Sequence, residues 1–300
     1  MSQILYPPAR AQTLGEVLKT GVQIFRVSFN ASLPYSVLVG IASELANLRN
    51  LSADLPVPSP LPSDAPVDPV YWAWYVVGGI LSLLFGSALL LRQKALAAGE
   101  RTSVAAEMRQ SGVLLSRLIV CMALSSFAIG LFLLPLAIAW PMTGLAQNPP
   151  NLAAVNIGML LLLIPLSLPA AWLSLGLFFA TPALVLRKLG PIEAMWVSFR
   201  LLRGNWWRTS VLTAALGGVL VLMAMVVGAV AAIIVSSTGV LDLKVISTLS
   251  IPFGIVCGAI ILPWCGAQVL AMMGDLTVRQ DDARRAGTGD NNGTSTGPTA

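Results

Sequence analysis

Histidine is absent from this sequence. Its absence removes the commonest general base and the commonest metal ligand. Charge is scarce too. Asp, Glu, Lys and Arg make up 10% of the 300 residues, where soluble domains carry about a quarter, so there is too little polar surface to face water on all sides. The three cysteines, Cys121, Cys257 and Cys265, all lie inside apolar runs. None sits in a loop suited to a disulfide and none has zinc-ligand spacing, so they read as small buried hydrophobes. No phosphate loop, dinucleotide fingerprint, HExxH or nucleophile elbow occurs, and no lipidation box. With no catalytic constellation, the reading is of a protein that is not an enzyme and carries no cofactor or metal. The opening MSQILYPPARAQTLGEVLKTG lacks the continuous apolar core and small-residue cleavage site of a signal peptide. Insertion is therefore expected to depend on the first spanning helix itself.

What is present is apolar length. The chain is 56% hydrophobic with a mean hydropathy of +0.80, and several runs exceed the roughly 20 apolar residues that span a bilayer core. They are long and continuous, which points to helices rather than barrel strands. Six spans are predicted: residues 31–48 (with Pro34, Glu44 and Asn47), 70–91, 115–140, one within 152–186, 209–235, and 245–270 with an extension toward 278. The uncharged run 152–186 would make a straight helix of about 52 Å. That is too long for one upright span and too short for two with a turn, and Pro165 and Pro169 predict a kinked or tilted helix there. Of 18 Lys and Arg, only Arg49 and Lys244 fall on one side, leaving 16 on the other. The positive-inside rule then places both termini in the cytoplasm of a bacterial inner membrane protein. The net charge of +5 follows from this topology and gives no reason to expect nucleic acid as a partner. The outer loop 50–69 is proline-rich and expected to be extended. The polar tail 280–300 is expected to be disordered.

The predicted fold class is an all-α integral membrane protein. Its membrane domain, residues 1–279, reads as three hairpin repeats at about 13–93, 101–188 and 190–279. Each opens on a cytoplasmic amphipathic segment and closes on a short apolar run capped by arginine: SALLLRQ with Arg92, PALVLRK with Arg187, DLTVRQ with Arg279. In the first opening segment Leu14, Val17, Leu18, Ile24, Phe25 and Phe29 share a helical face. In the third, Ile192, Met195, Trp196, Phe199, Leu202 and Trp206 do so, opposite Glu193, Arg200 and Arg203. The middle segment, residues 103–117, shows the pattern poorly. Such helices lie in the headgroup plane with the apolar face in the bilayer. Arg200, Arg203, Trp206, Trp207 and Arg208 are the expected interfacial anchors and headgroup contacts.

These stretches, GPIEAMWVSFRLLRGNWWRTS and TLGEVLKTGVQIFRVSFN, carry a family resemblance. They resemble bacterial membrane proteins related to the membrane domain of glycerophosphoryl diester phosphodiesterases, and the YciC-like inner-membrane proteins. Ser198, Leu201, Gly204, Trp207 and Arg208 match the Ser-x-x-Leu-x-x-Gly-x-x-Trp-Arg pattern of that group, and the likeness covers about residues 13 to 275. It implies a six-helix membrane domain. It does not imply phosphodiesterase activity, which in that family belongs to a separate soluble barrel with acidic and histidine residues.

Ionisable and amide side chains inside spans are functional candidates because burying them is costly. Glu44 leads, with Asn47 on nearly the same face, and Asn156 and Gln268 complete the candidate intramembrane polar set. Asp275, one turn from Arg279, reads as an interfacial ion pair. Pro135, Pro165, Pro169, Pro252 and Pro263 free carbonyls that Asn156, Gln268, Ser125 and Ser126 are placed to satisfy.

Three functional readings follow. The first is a non-enzymatic protein organising or regulating a lipid or envelope process through membrane lipids (anionic ones among them), a second copy or another membrane protein. The second is a carrier or channel with Glu44 in its path. The third is a permease subunit docking an ATPase through residues 190–208, against which Phe199 stands where the coupling motif wants glycine.

Overall fold

The computed structural model of the protein describes residues 4–52, 69–140, 157–238 and 243–289. Every regular element among them is helical, which suits a bilayer solvent that cannot satisfy open backbone groups. In chain order they are α1 (Leu14–Ser43), α2 (Leu45–Ser52), α3 (Pro69–Ala97), α4 (Val104–Ala139), α5 (Ile157–Leu177), α6 (Ala180–Arg187), α7 (Pro191–Leu202), α8 (Trp206–Thr238) and α9 (Leu243–Gly289). Six stretches are long and apolar enough to cross a membrane: Leu14–Ser43, Pro69–Ala97, Val104–Ala139, Leu161–Arg187, Trp206–Met225 and Ile251–Arg285. Phe127, Leu131, Trp172, Leu222 and Met225 on these helices are more than half exposed. A soluble core would hide such residues, whereas lipid covers them here.

The predicted first span, 31–48, is divided at Glu44 between α1 and α2, and the helices depart from the sequence reading in three further places. First, the opening amphipathic segment is not a separate surface helix. Thr13 caps it through a reciprocal box in which Glu16 N–H donates to Thr13 Oγ1 (3.3 Å) and Thr13 N–H donates to Glu16 Oε2 (2.7 Å), and α1 then runs unbroken into the first span. The middle segment is likewise the start of α4. Only the third stands alone as α7, because Gly204 adopts φ 83°, a left-handed turn that glycine tolerates and other residues resist. Second, the fourth span continues through Pro165 and Pro169 and breaks later, at Phe178–Phe179, between α5 and α6. Third, α9 extends to Gly289, so residues 280–289, expected to be disordered, are helical, with Arg285 and Asp282 paired at 3.9 Å on the exposed face. Residues 290–300 and the proline-rich loop residues 53–68 lie outside the described residues.

The chain divides into two compact units: Met1–Leu115 with Asn205–Ala300, and Ser116–Gly204. In the first, α1 packs between α3 and α9. Its buried stripe is Val17, Gly21, Ile24, Ser28, Ser32, Ser36 and Gly40, five small residues with Val17 and Ile24 at three- and four-residue spacing. Leu14, Leu18 and Val27 point outward. Small residues let helix backbones approach, which matters in lipid because apolar helices gain no hydrophobic drive from meeting each other. Gly78 of α3 fits directly over the Ala42 carbonyl, and a Cβ on Gly40 would lie 3.3 Å from Ile255 Cα.

Helices α1 and α9 run antiparallel, since Gln12 meets Asp275, Leu18 meets Gln268 and Ser36 meets Ala259. The last contact repairs a defect. Pro263 has no N–H to give the Ala259 carbonyl, and the Ser36 hydroxyl lies 2.9 Å from that oxygen. Buried Gln93 of α3 donates to the Pro263 carbonyl at 2.6 Å. The repair at this proline thus comes from Ser36, outside the set expected from sequence.

The second unit holds the rest of α4 with α5, α6 and α7. Ser198 of α7, fully buried, joins the broken ends of α5 and α6. Its hydroxyl donates to the Gly176 carbonyl (2.6 Å) and accepts from Phe179 N–H (3.1 Å). The Phe199 ring occupies the space a Cβ on Gly176 would need and packs on Trp172 with centroids 5.6 Å apart.

Candidate functional site

Helix α7 begins where its sequence says it should. Gly190 is the N-cap, Pro191 takes the first helical turn, Glu193 sits in the first turn and Arg200 in the last, matching the helix dipole at both ends. Its residues then divide between two faces. Ala194, Ser198 and Leu201 are buried within the second unit. Ile192 and Trp196 are exposed, at 64% and 67%.

Beside this second face lies a groove of about 600 Å³ lined by Leu124, Phe127, Ala128, Trp172, Met195, Trp196 and Phe199. Its wall is almost wholly apolar. Arg200 and Arg203 follow Trp196 and Phe199 by one helical turn each and are exposed. Arg117 of α4 places Nη1 3.5 Å from the carbonyl of Lys188, the left-handed C-cap of α6.

The first unit carries two buried carboxylates in ion-pair clusters. Asp275, 1% exposed, accepts from Gln12 N–H (2.6 Å), Arg208 Nε (3.0 Å) and Arg279 Nε (3.1 Å). The same arginines reach the Gln12 carbonyl through Nη2, at 2.5 and 2.6 Å. The segment before α1 is thus clamped onto α9. Leu5 and Tyr6 N–H groups add bonds to the Ala97 carbonyl, and Tyr6 and Pro8 close over Gly274. A small polar cleft of about 220 Å³ remains between this segment and α1, bordered by Arg10, Gln12, Thr20 and Gln23. The second cluster centres on Glu107, 3% exposed, which accepts from Tyr35 Oη (2.5 Å), Arg92 Nη1 (3.1 Å) and the Thr102 hydroxyl. Arg92 also donates to the Thr102 carbonyl at 2.8 Å.

Among the residues singled out from sequence, Glu44 is half-buried at the end of α1 and accepts from Asn47 Nδ2 at 2.8 Å. It lies about 45 Å from Leu14 along the axis, farther than the roughly 30 Å hydrocarbon core. Gln268 lies toward the opposite end of α1, where its Nε2 faces the Leu18 carbonyl at 3.4 Å. The two therefore do not share a site, and Asn156 lies outside the described residues. Arg200, Arg203 and Trp207 are exposed and Trp206 is half-buried. Arg208, grouped from sequence with the interfacial anchors, has its guanidinium on Asp275 and Gln12. Asp275 does pair with Arg279, as the i,i+4 spacing predicts, but within a larger buried cluster.

Sequence reasoning missed Glu107, Gln12 and Ser198 as organising residues. Only Glu107 carried a readable signal: an acid in a first helical turn following a Thr-Ser pair. Among the described residues no group of three or more His, Cys, Asp or Glu is placed to hold a metal ion.

Six apolar helices and an outward-facing set of large apolar residues define a polytopic helical membrane protein. Comparison with protein-family models, curated proteins and solved structures finds no match.

Proposed function

We infer that the protein is a non-enzymatic inner-membrane protein, with both termini cytoplasmic, that organises or regulates a lipid or envelope process through bound lipid or a protein partner. The observation that carries this reading is the groove beside α7: the larger of the two concave features described is apolar, has no carboxylate in its lining and is walled by a helix that ends on exposed Arg200 and Arg203. The two buried carboxylates, Asp275 and Glu107, are each held by several donors inside the first unit, an arrangement suited to fixing helices. The lopsided Lys and Arg distribution supports the orientation, and so does the meeting of Gln12 with Asp275 at one end of the α1–α9 pair. The likeness of residues 190–210 to the glycerophosphodiesterase-type membrane domains and YciC-like proteins agrees with a lipid-linked role.

The test is gentle extraction of the full chain from native membranes, followed by lipid analysis and identification of co-purifying proteins. Reproducible retention of a lipid class or one partner is expected. A chain that emerges bare under several mild conditions would overturn the reading. Reporter fusions at residues 3 and 295 should both report cytoplasm.

A further inference from the structure

We propose that the groove of the second unit binds one anionic glycerophospholipid, with an acyl chain between α4, α5 and α7 and the phosphate held by Arg200 and Arg203. The proposal rests on the lipid-linked reading above and narrows it to a site and a headgroup charge. The groove volume, about 600 Å³, lies in the roughly 300–1,000 Å³ range of small-molecule sites. Its wall is built from Phe127, Trp172, Trp196 and Phe199, rigid flat surfaces that a chain can lie against.

Shape alone does not select a lipid from a bilayer, because an acyl chain gains nothing hydrophobic by leaving other chains for an apolar wall. Selection therefore has to come from charge. Arg200 stands one turn beyond Trp196 in the last turn of α7 and Arg203 is the C-cap of that helix, so two exposed cations stand at the end of the helix that carries Met195, Trp196 and Phe199. Guanidinium pairs with phosphate oxygens in a two-pronged geometry that an ammonium lacks. The acid of α7, Glu193, sits at the far end in the first turn. On the α4 side Arg117 precedes Leu124 by about 10 Å along the axis and lies against Lys188, adding positive charge. The buried face of α7 is anchored by Ser198 and Leu201, so the groove wall is held by the same helix that carries the two arginines.

The full-length protein, reconstituted in vesicles of one part phosphatidylglycerol to three parts phosphatidylethanolamine and released in mild detergent, is read by native mass spectrometry. The wild type should retain one phospholipid per chain, with phosphatidylglycerol enriched about tenfold over the vesicle ratio. Ala128→Trp fills the groove and should cut retention about tenfold. Arg200→Gln with Arg203→Gln alters two exposed side chains, and its circular dichroism and unfolding midpoint in the same detergent, expected to match the wild type, report that it folds. This pair should return the retained lipid to the vesicle ratio. If both variants keep phosphatidylglycerol as the wild type does, the groove is not the site, while the broader lipid-linked reading stands. A wild type that retains no phospholipid overturns the site and the lipid half of the broader reading together. Equal retention of the two headgroups by the wild type overturns the assignment of the arginines.

Discussion

Asp275→Asn is the sharpest test of how the first unit is held together. The carboxylate is 1% exposed and accepts three bonds, two of them from arginines whose own side chains are 17% and 30% exposed. Asparagine keeps the size and one acceptor, so it can still receive Gln12 N–H. It loses the charge and turns an N–H₂ toward guanidinium donors. Hydrogen bonds to charged groups contribute about 1.5–3 kcal/mol each, and stripping one partner from a buried ion pair costs about 3–5 kcal/mol. Residual solvent contact of both arginines favours the low end, so a loss of about 3 kcal/mol is expected. Arg279→Gln removes the more exposed arginine and leaves Arg208 on the carboxylate. It should cost about 1 kcal/mol. Because both act on one node, the double variant should fall short of the sum. Denaturant-induced unfolding in a fixed micelle measures the stability, and limited proteolysis reports release of residues 4–13 from α9. A loss below about 0.5 kcal/mol for Asp275→Asn, with proteolysis unchanged, would refute the clamp.

Adjacent glycines on α3 give a paired control: Gly78→Ala drives a Cβ into the Ala42 carbonyl, whereas Gly79→Ala meets nothing within 4 Å. The first should cost about 2 kcal/mol and the second should be neutral or slightly stabilising in the same unfolding assay. Ser198→Ala strands the Gly176 carbonyl and Phe179 N–H and should cost about 2 kcal/mol, with faster amide exchange at the α5–α6 break. Gly176→Ala clashes with the Phe199 ring, and Phe199→Leu in the same chain should recover part of the lost stability. Glu44→Gln, at the far end of α1 with only Asn47 as a described bond partner, should change stability by less than about 0.5 kcal/mol. A larger loss would show that this carboxylate does more than cap a helix end.

Much of the helix layout was legible because bilayer thickness imposes a length that composition reveals directly. Among the described residues all six runs lie on helices, the first divided at Glu44 and the fourth at Phe178–Phe179, and even the extended sixth span was visible in the continuity past Leu270. Breaks were harder to read. Pro165 and Pro169 are the obvious breakers, yet the interruption falls at Phe178–Phe179, where Ser198 supplies a donor and an acceptor from α7, 20 residues along the chain. A break is stable only where its freed groups find partners, and partners from another helix leave no local mark. The same holds for Pro263, whose freed carbonyl is met by Ser36 on α1.

The candidate site was half legible. The groove residues Met195, Trp196 and Phe199 and the cations Arg200 and Arg203 were visible on one short amphipathic stretch. Phe127 and Trp172, from other helices, were not. In the motif Ser198, Leu201, Gly204, Trp207 and Arg208, four residues have structural work: a break repaired, a buried leucine, a left-handed turn and an ion pair. Only Trp207 is simply exposed. The sequence by itself determined solvent, the number of long apolar spans and the lopsided charge, because these depend on composition and local periodicity. Tertiary structure alone decided which face of each helix meets protein and which meets lipid. In a bilayer both neighbours are apolar, so that choice follows small-residue fit and the pairing of distant polar groups, and neither can be read from hydrophobicity.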